Sequence, residues 1–111
     1  MIAVIFEVTP TNAGKDSYFA LAAELAPILS SIDGFISVER FESLINPGSF
    51  LSLSFWRDEA AVLAWRQQLQ HQAAQQQGRS GLFSNYRIRV ANVVRDYGLT
   101  DRQQAPAFIS L

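Results

Sequence analysis

The 111-residue sequence contains no cysteine, a single histidine and a single methionine, and its charge is nearly balanced at a formal −1. Without cysteine, disulfides, thiolate metal sites and cysteine nucleophiles are excluded. One histidine, His71, rules out a multi-histidine metal centre built from one chain. There is no basic excess to neutralise a row of phosphates, so nucleic acid is not an expected partner. Long apolar runs are also missing. IAVIF (2–6) is short and no basic region precedes it, so neither a signal peptide nor a membrane span is expected, and the default location is cytoplasmic. Gly-rich phosphate loops, paired catalytic carboxylates and a nucleophile elbow are absent as well.

What is present is a core-forming composition, with 49% hydrophobic residues. That suffices for one packed domain and argues against disorder. Turn chemistry divides the chain. IAVIFEVT (2–9) is rich in β-formers and runs into PTNAG. KDSYFALAAELAPILSSI (15–32) places apolar residues at 18, 21, 22, 25, 28, 29 and 32, a helical period. Pro27 removes an amide and crowds the carbonyl four residues back, which predicts a kink or restart there. After Asp33 and Gly34, FISVERFES (35–43) returns to strand character, with Phe35, Ser37, Glu39 and Phe41 on one face. LINPGS reverses the chain into SFLSLSFW (49–56), its hairpin partner. RDEAAVLAWRQQLQHQAAQQQ (57–77) opens with acids suited to the positive end of a helix dipole, and Gly78 and Gly81 end it. YRIRVANVVRDYG (86–98) is the last strand.

The order β-α-β-β-α-β predicts an α+β, ferredoxin-like fold, an antiparallel sheet with two helices on one face. A sheet covered on one face should alternate apolar and polar residues. These strands do not. Ile2, Val4 and Phe6 face one way, yet Ala3 and Ile5 face the other; Leu51, Leu53 and Phe55 oppose Phe50 and Trp56; Ala91 and Val93 oppose Ile88, Val90 and Val94. The second face therefore calls for a cover, and a second copy of the sheet, in an isologous homodimer, is the simplest one.

Three stretches, GFISVERFES, SLSFWRDEAAVLAW, and HQAAQQQGR followed by YRIRVANVVRDYG, resemble the antibiotic biosynthesis monooxygenase (ABM) superfamily of dimeric α+β barrels. The resemblance spans most of residues 1–98, which makes that segment the domain. Residues 99–111 then form a tail in which polar DRQQ precedes AFISL, and Phe108, Ile109 and Leu111 are expected to pack on the domain or the partner subunit. The superfamily includes cofactor-free quinone-forming monooxygenases, haem-degrading monooxygenases and signal-molecule isomerases, so fold alone does not choose a function. The leading expectation is cofactor-independent oxidation of a small aromatic or quinol-like compound, with no metal. The alternative is a non-catalytic domain that binds a small hydrophobic ligand, and haem degradation ranks below both. Haem-degrading relatives have an asparagine on strand one, where this chain has IAVIFEVT.

In such domains the pocket lies between helices and sheet, and the tryptophan of the second helix lines it; here that is Trp65. On a helix Trp65 shares the core-facing side with Val62 and Leu69, so it serves equally as a core residue. His71 follows six residues later, about 120° further round a straight helix. Only a break near residues 67–70 would turn it beside Trp65, and QQLQ there lacks the proline that similar family members carry. In the pocket its near-neutral pKa would suit it to take a proton from a phenol or hydroquinone. Asn92 and Tyr86, on the face of Ile88 and Val90, are candidate substrate contacts, and Arg79 is a candidate for attracting an anionic ligand. Arg87 and Arg89 read as a solvated edge.

Overall fold

The computed structural model describes residues 1–75 and 81–106, without the side chains of residues 70–75. Its elements are β1 (Ile2–Pro10), α1 (Lys15–Ser31), β2 (Phe35–Glu42), β3 (Phe50–Trp56), α2 (Glu59–Gln75) and β4 (Phe83–Asn92). The strands form one antiparallel sheet in the order β2-β3-β1-β4. This is the ferredoxin-like arrangement expected.

Residues opposite one another across a ladder share a face. Ile2, Val4, Phe6 and Val8 of β1 therefore lie beside Trp56, Ser54, Ser52 and Phe50 of β3, and beside Asn92, Val90, Ile88 and Tyr86 of β4. Ring contacts identify this face as the helix side: Phe19 of α1 meets Phe50 at 5.0 Å and Trp65 of α2 stacks on Trp56 at 6.3 Å. The core gathers there, from Ile2, Leu29, Trp56, Ala61 and Val62, with Val4, Ile32, Phe35, Val38 and Trp65 packed around it.

Three local expectations need correction. First, Phe35 does not share a face with Ser37, Glu39 and Phe41. It lies opposite Trp56, while Ser37 lies opposite the next residue, Phe55, so Ile36 is an extra residue that switches the alternation. Phe35 thereby turns inward onto Trp56, with the ring centroids 5.4 Å apart. Second, α1 continues through Pro27 without a restart. Pro27 and Ala23, whose carbonyl loses its amide partner, are both exposed, so water can take up the freed acceptor. Third, β4 starts three residues earlier and stops at Asn92, where it faces Ile2 and runs out of partner strand. The Val93 amide still donates to the Met1 carbonyl at 3.0 Å, and Val94 stands 79% exposed.

The start of α2 is tied down closely. Asp58 accepts the Ala61 amide at 3.0 Å as an N-cap, and Arg57 bridges Asp58 and Asp33, each at 3.1 Å. The two hydrogen bonds, from the Ala61 amide first and from Arg57 second, hold the Asp58 carboxyl below the usual range. Its two carboxylate partners push the Arg57 guanidinium pKa up. Gly34, at φ +93°, passes so close to α2 that a Cβ there would sit 2.7 Å from the Ala61 Cβ. Beyond β4 the chain doubles back: Gln104 accepts the Asp96 amide at 2.8 Å, and the Arg102 guanidinium lies 5.1 Å from the Tyr97 ring centre. Phe108, Ile109 and Leu111 lie outside the described residues.

Candidate functional site

The helices do not cover the sheet evenly. On the helix side Val8 is 2% exposed and Trp56 is fully buried, whereas Tyr86, Ile88 and Val90 of β4 are 58%, 53% and 49% exposed. The helix-side face of β4, with the neighbouring Val4 and Phe6, is thus the floor of an apolar trough. From Tyr86 to Asn92 it runs six residue steps, about 20 Å.

One end of the trough has an aromatic wall. At the Tyr86 end, Phe6, Phe83 and Tyr86 form a triangle with centroids 6.0–6.1 Å apart. Tyr18 of α1 joins Phe83 at 5.6 Å, and Phe19 and Phe50 continue the chain of rings. Edge and tilted contacts of this kind hold rings at set angles. At the other end, Asn92 faces Ile2, which faces Trp56, on which Trp65 stacks with an interplanar angle of 26°.

The structure brings Trp65, Tyr86 and Asn92 to one side of the sheet. Trp65 is half-buried and anchored in the core; Tyr86 and Asn92 are exposed on the trough floor. The backbone of α2 is unbroken from Gln67 to Gln75. Position 71 therefore lies about 9 Å along the axis and about 120° round from Trp65. The His71 side chain and all of Arg79 lie outside the described residues. Arg87 and Arg89 are on the exposed helix-free face, and Arg89 pairs with Glu7 at 3.1 Å. That face also carries two hollows, of about 440 Å³ beside Glu7, Phe41, Leu51 and Arg87 and about 330 Å³ beside Met1, Ile36, Phe55 and Val93.

Sequence reasoning missed the Tyr18–Phe83–Phe6 wall and gave no role to Trp56 and Ser54. The Trp56 indole N–H donates to the buried Ser54 hydroxyl at 2.9 Å. A signal was available in FLSLSFW (50–56), whose alternation puts two serines on the inner face of a strand that is otherwise aromatic there.

A four-stranded antiparallel sheet under two helices, with an apolar trough open along one edge strand, defines a ferredoxin-like domain. The chain belongs to the antibiotic biosynthesis monooxygenase family, whose sequence model matches residues 1–77. Trp65 and His71 lie inside the matched segment, and Tyr86 and Asn92 lie beyond it. Among its relatives, the jasmonate monooxygenase ABM of Pyricularia oryzae is 47% identical over 93 residues, which are 84% of this chain but 43% of that protein. The chain thus spans less than half of that relative. YqjZ of Bacillus subtilis, uncharacterised, is 31% identical over 93 residues, covering 84% of this chain and 79% of YqjZ. Solved structures share the fold. Rv0793 of Mycobacterium tuberculosis superposes with a TM-score of 0.72 at 21% identity, over 87% of this chain and 98% of that one. The haem degrader MhuD of the same organism, with two haems in its active site, superposes at 0.68 and 14% identity, over 88% of this chain and 100% of that one.

Proposed function

We propose that this domain is a monooxygenase that oxidises a small, largely apolar molecule lying along the helix-side face of β4, without metal or organic cofactor. The observation that carries the reading is the trough itself: three half-exposed apolar or aromatic side chains in a row, with a cluster of rings at the Tyr86 end and a polar handle at each end, Tyr86 and Asn92. Such a surface recognises a compact apolar body with few polar groups. In this reading Trp65 walls the trough, the Tyr86 phenol and the Asn92 amide donate to substrate oxygens, and Arg79 attracts an acidic group. Loss of a proton makes the substrate electron-rich enough to reduce dioxygen, and the unbroken α2 turns position 71 about 120° away from Trp65, which argues against His71 as the group that takes it. The substrate gives up two hydrogens: one oxygen atom enters the product as a carbonyl, and the other leaves as water with those two hydrogens. The substrate class is a phenol, a quinol or a cyclic ketone of the jasmonate kind, the last supported by the Pyricularia relative.

Dioxygen uptake against a panel of hydroquinones and jasmonate tests this. Uptake matched by labelled oxygen in the product supports the reading. A rise in melting temperature with a panel compound and no uptake overturns it in favour of a non-catalytic binding domain. A Soret shift on titrating haem would favour the chemistry of MhuD instead. Trp65→Phe should keep the fold and slow turnover. His71→Ala should leave the pH profile as it is, and loss of a neutral-range step would instead show that His71 is the base.

The helix-free face is proposed as the seam of a homodimer. Ile36 and Phe41 are 52% and 43% exposed there, and Ile5, Leu51, Leu53, Phe55 and Val93 are only half-buried. Light scattering should give a dimer at micromolar concentration, and Val93→Asp should break it.

A further inference from the structure

Ser54 is a buried polar side chain, 8% exposed, in an apolar neighbourhood. It stands on the helix side of β3, between Val4 of β1 and Val38 of β2. A third valine would continue that row. The hydroxyl instead accepts the indole N–H of Trp56 at 2.9 Å. Trp56 is fully buried, so no water can take that proton, and the bond decides how the ring lies within its space. Trp65 rests on that ring at 6.3 Å and 26°. The chain of contact therefore runs from a hydroxyl in the sheet, through one indole, to the indole of α2 that the proposed function sets as a wall of the trough. We infer that Ser54 is a positioning residue of the ligand site: by fixing the plane of Trp56, it fixes the plane that Trp65 presents to a bound molecule. The inference rests on the trough being the site.

The experiment compares wild type, Ser54→Ala, Ser54→Thr, Trp56→Phe and Trp65→Ala. Two stacked indoles give an exciton couplet in the far-ultraviolet circular dichroism, which reads their mutual angle directly. Ligand capture is read with 1-aminoanthracene, a neutral aromatic, through energy transfer from tryptophan. Ser54→Ala should still melt cooperatively, lose much of the couplet and weaken 1-aminoanthracene about three- to tenfold. Ser54→Thr, which keeps the hydroxyl, should restore both. A Ser54→Ala protein with the wild-type couplet and affinity overturns the role of Ser54 alone, provided Trp65→Ala has weakened binding. If Trp65→Ala binds as wild type does, the trough falls and the ligand role of Ser54 falls with it. Should Ser54→Ala not fold, Trp56→Phe tests the same bond from the donor's side: it keeps a ring and drops the N–H, so unchanged affinity there overturns the proposal.

Discussion

β3 and β4 flank the same central strand and turn matching residues to the same side, yet one is sealed and the other open. Trp56 and Asn92 both face Ile2; the first is fully buried and the second exposed. Strand composition does not account for this, since β4 offers Tyr86, Ile88 and Val90 to the helix side, whereas β3 offers two serines between its rings. Helix placement does. The β3 residues become core because α1 and α2 lie over them, and the equally apolar β4 residues become a surface on which something else can lie. The difference separates stability from the proposed binding between the two strands that flank β1, and substitutions should separate them too.

The largest effect should come from the sealed side. Trp56→Ala leaves a ring-sized void and an unpartnered Ser54 hydroxyl, and should cost about 3–5 kcal/mol in denaturant unfolding. A loss under about 1 kcal/mol would mean that the wall of rings is not the core of the fold. Next comes Gly34→Ala. It combines a left-handed backbone with a contact against Ala61, and should cost about 2–4 kcal/mol by placing α2 wrongly over β3. On the open side, Ile88→Ala should cost under about 1 kcal/mol while weakening 1-aminoanthracene, because half the side chain is already in water. If Ile88→Ala proves as costly as Trp56→Ala, the two strands do not divide the labour as argued. The smallest effect is acid-dependent. The Asp58 carboxyl is held below its usual range, so its contribution is present above the unfolded aspartate pKa and fades as pH falls through the lowered folded value. Asp58→Asn keeps an N-cap without the charge, and should therefore flatten this part of the acid limb of a stability–pH curve, slightly, since the group is exposed.

The element order, the sheet face of every β1 and β3 residue, and the inward side of Tyr86 and Asn92 were legible from periodicity and turn residues alone. What escaped has a common physical origin. A bulge is one residue inserted without any change in composition, so Phe35 was assigned to the wrong face. The last strand was expected to begin at Tyr86, yet the pairing of Asn85 with Thr9 and of Phe83 with Pro10 carries it back to Phe83, and the aromatic wall went unseen with it. The bond from Trp56 to Ser54 joins residues only two apart in sequence, but both are buried because distant helices cover them. Trp65 was placed correctly on its helix. No account of His71 or Arg79 follows from the described residues.

The extra residue at Ile36 has a further consequence, because β2 is an edge of the sheet. An edge strand exposes a row of free amides and carbonyls to which another chain can add itself, and native proteins block this in several ways. Here the two edges differ. β4 carries Arg87 and Arg89, whose like charges oppose a second copy laid alongside. β2 instead breaks its own row at the bulge, so an incoming strand finds only the segment beyond Ser37 in regular register. Deleting Ile36 would straighten that edge and leave Phe35 opposite Trp56, in a regular ladder from the start of the strand. It would give the chain a continuous template for strand addition, and so a route to fibrillar aggregation that the bulge now interrupts.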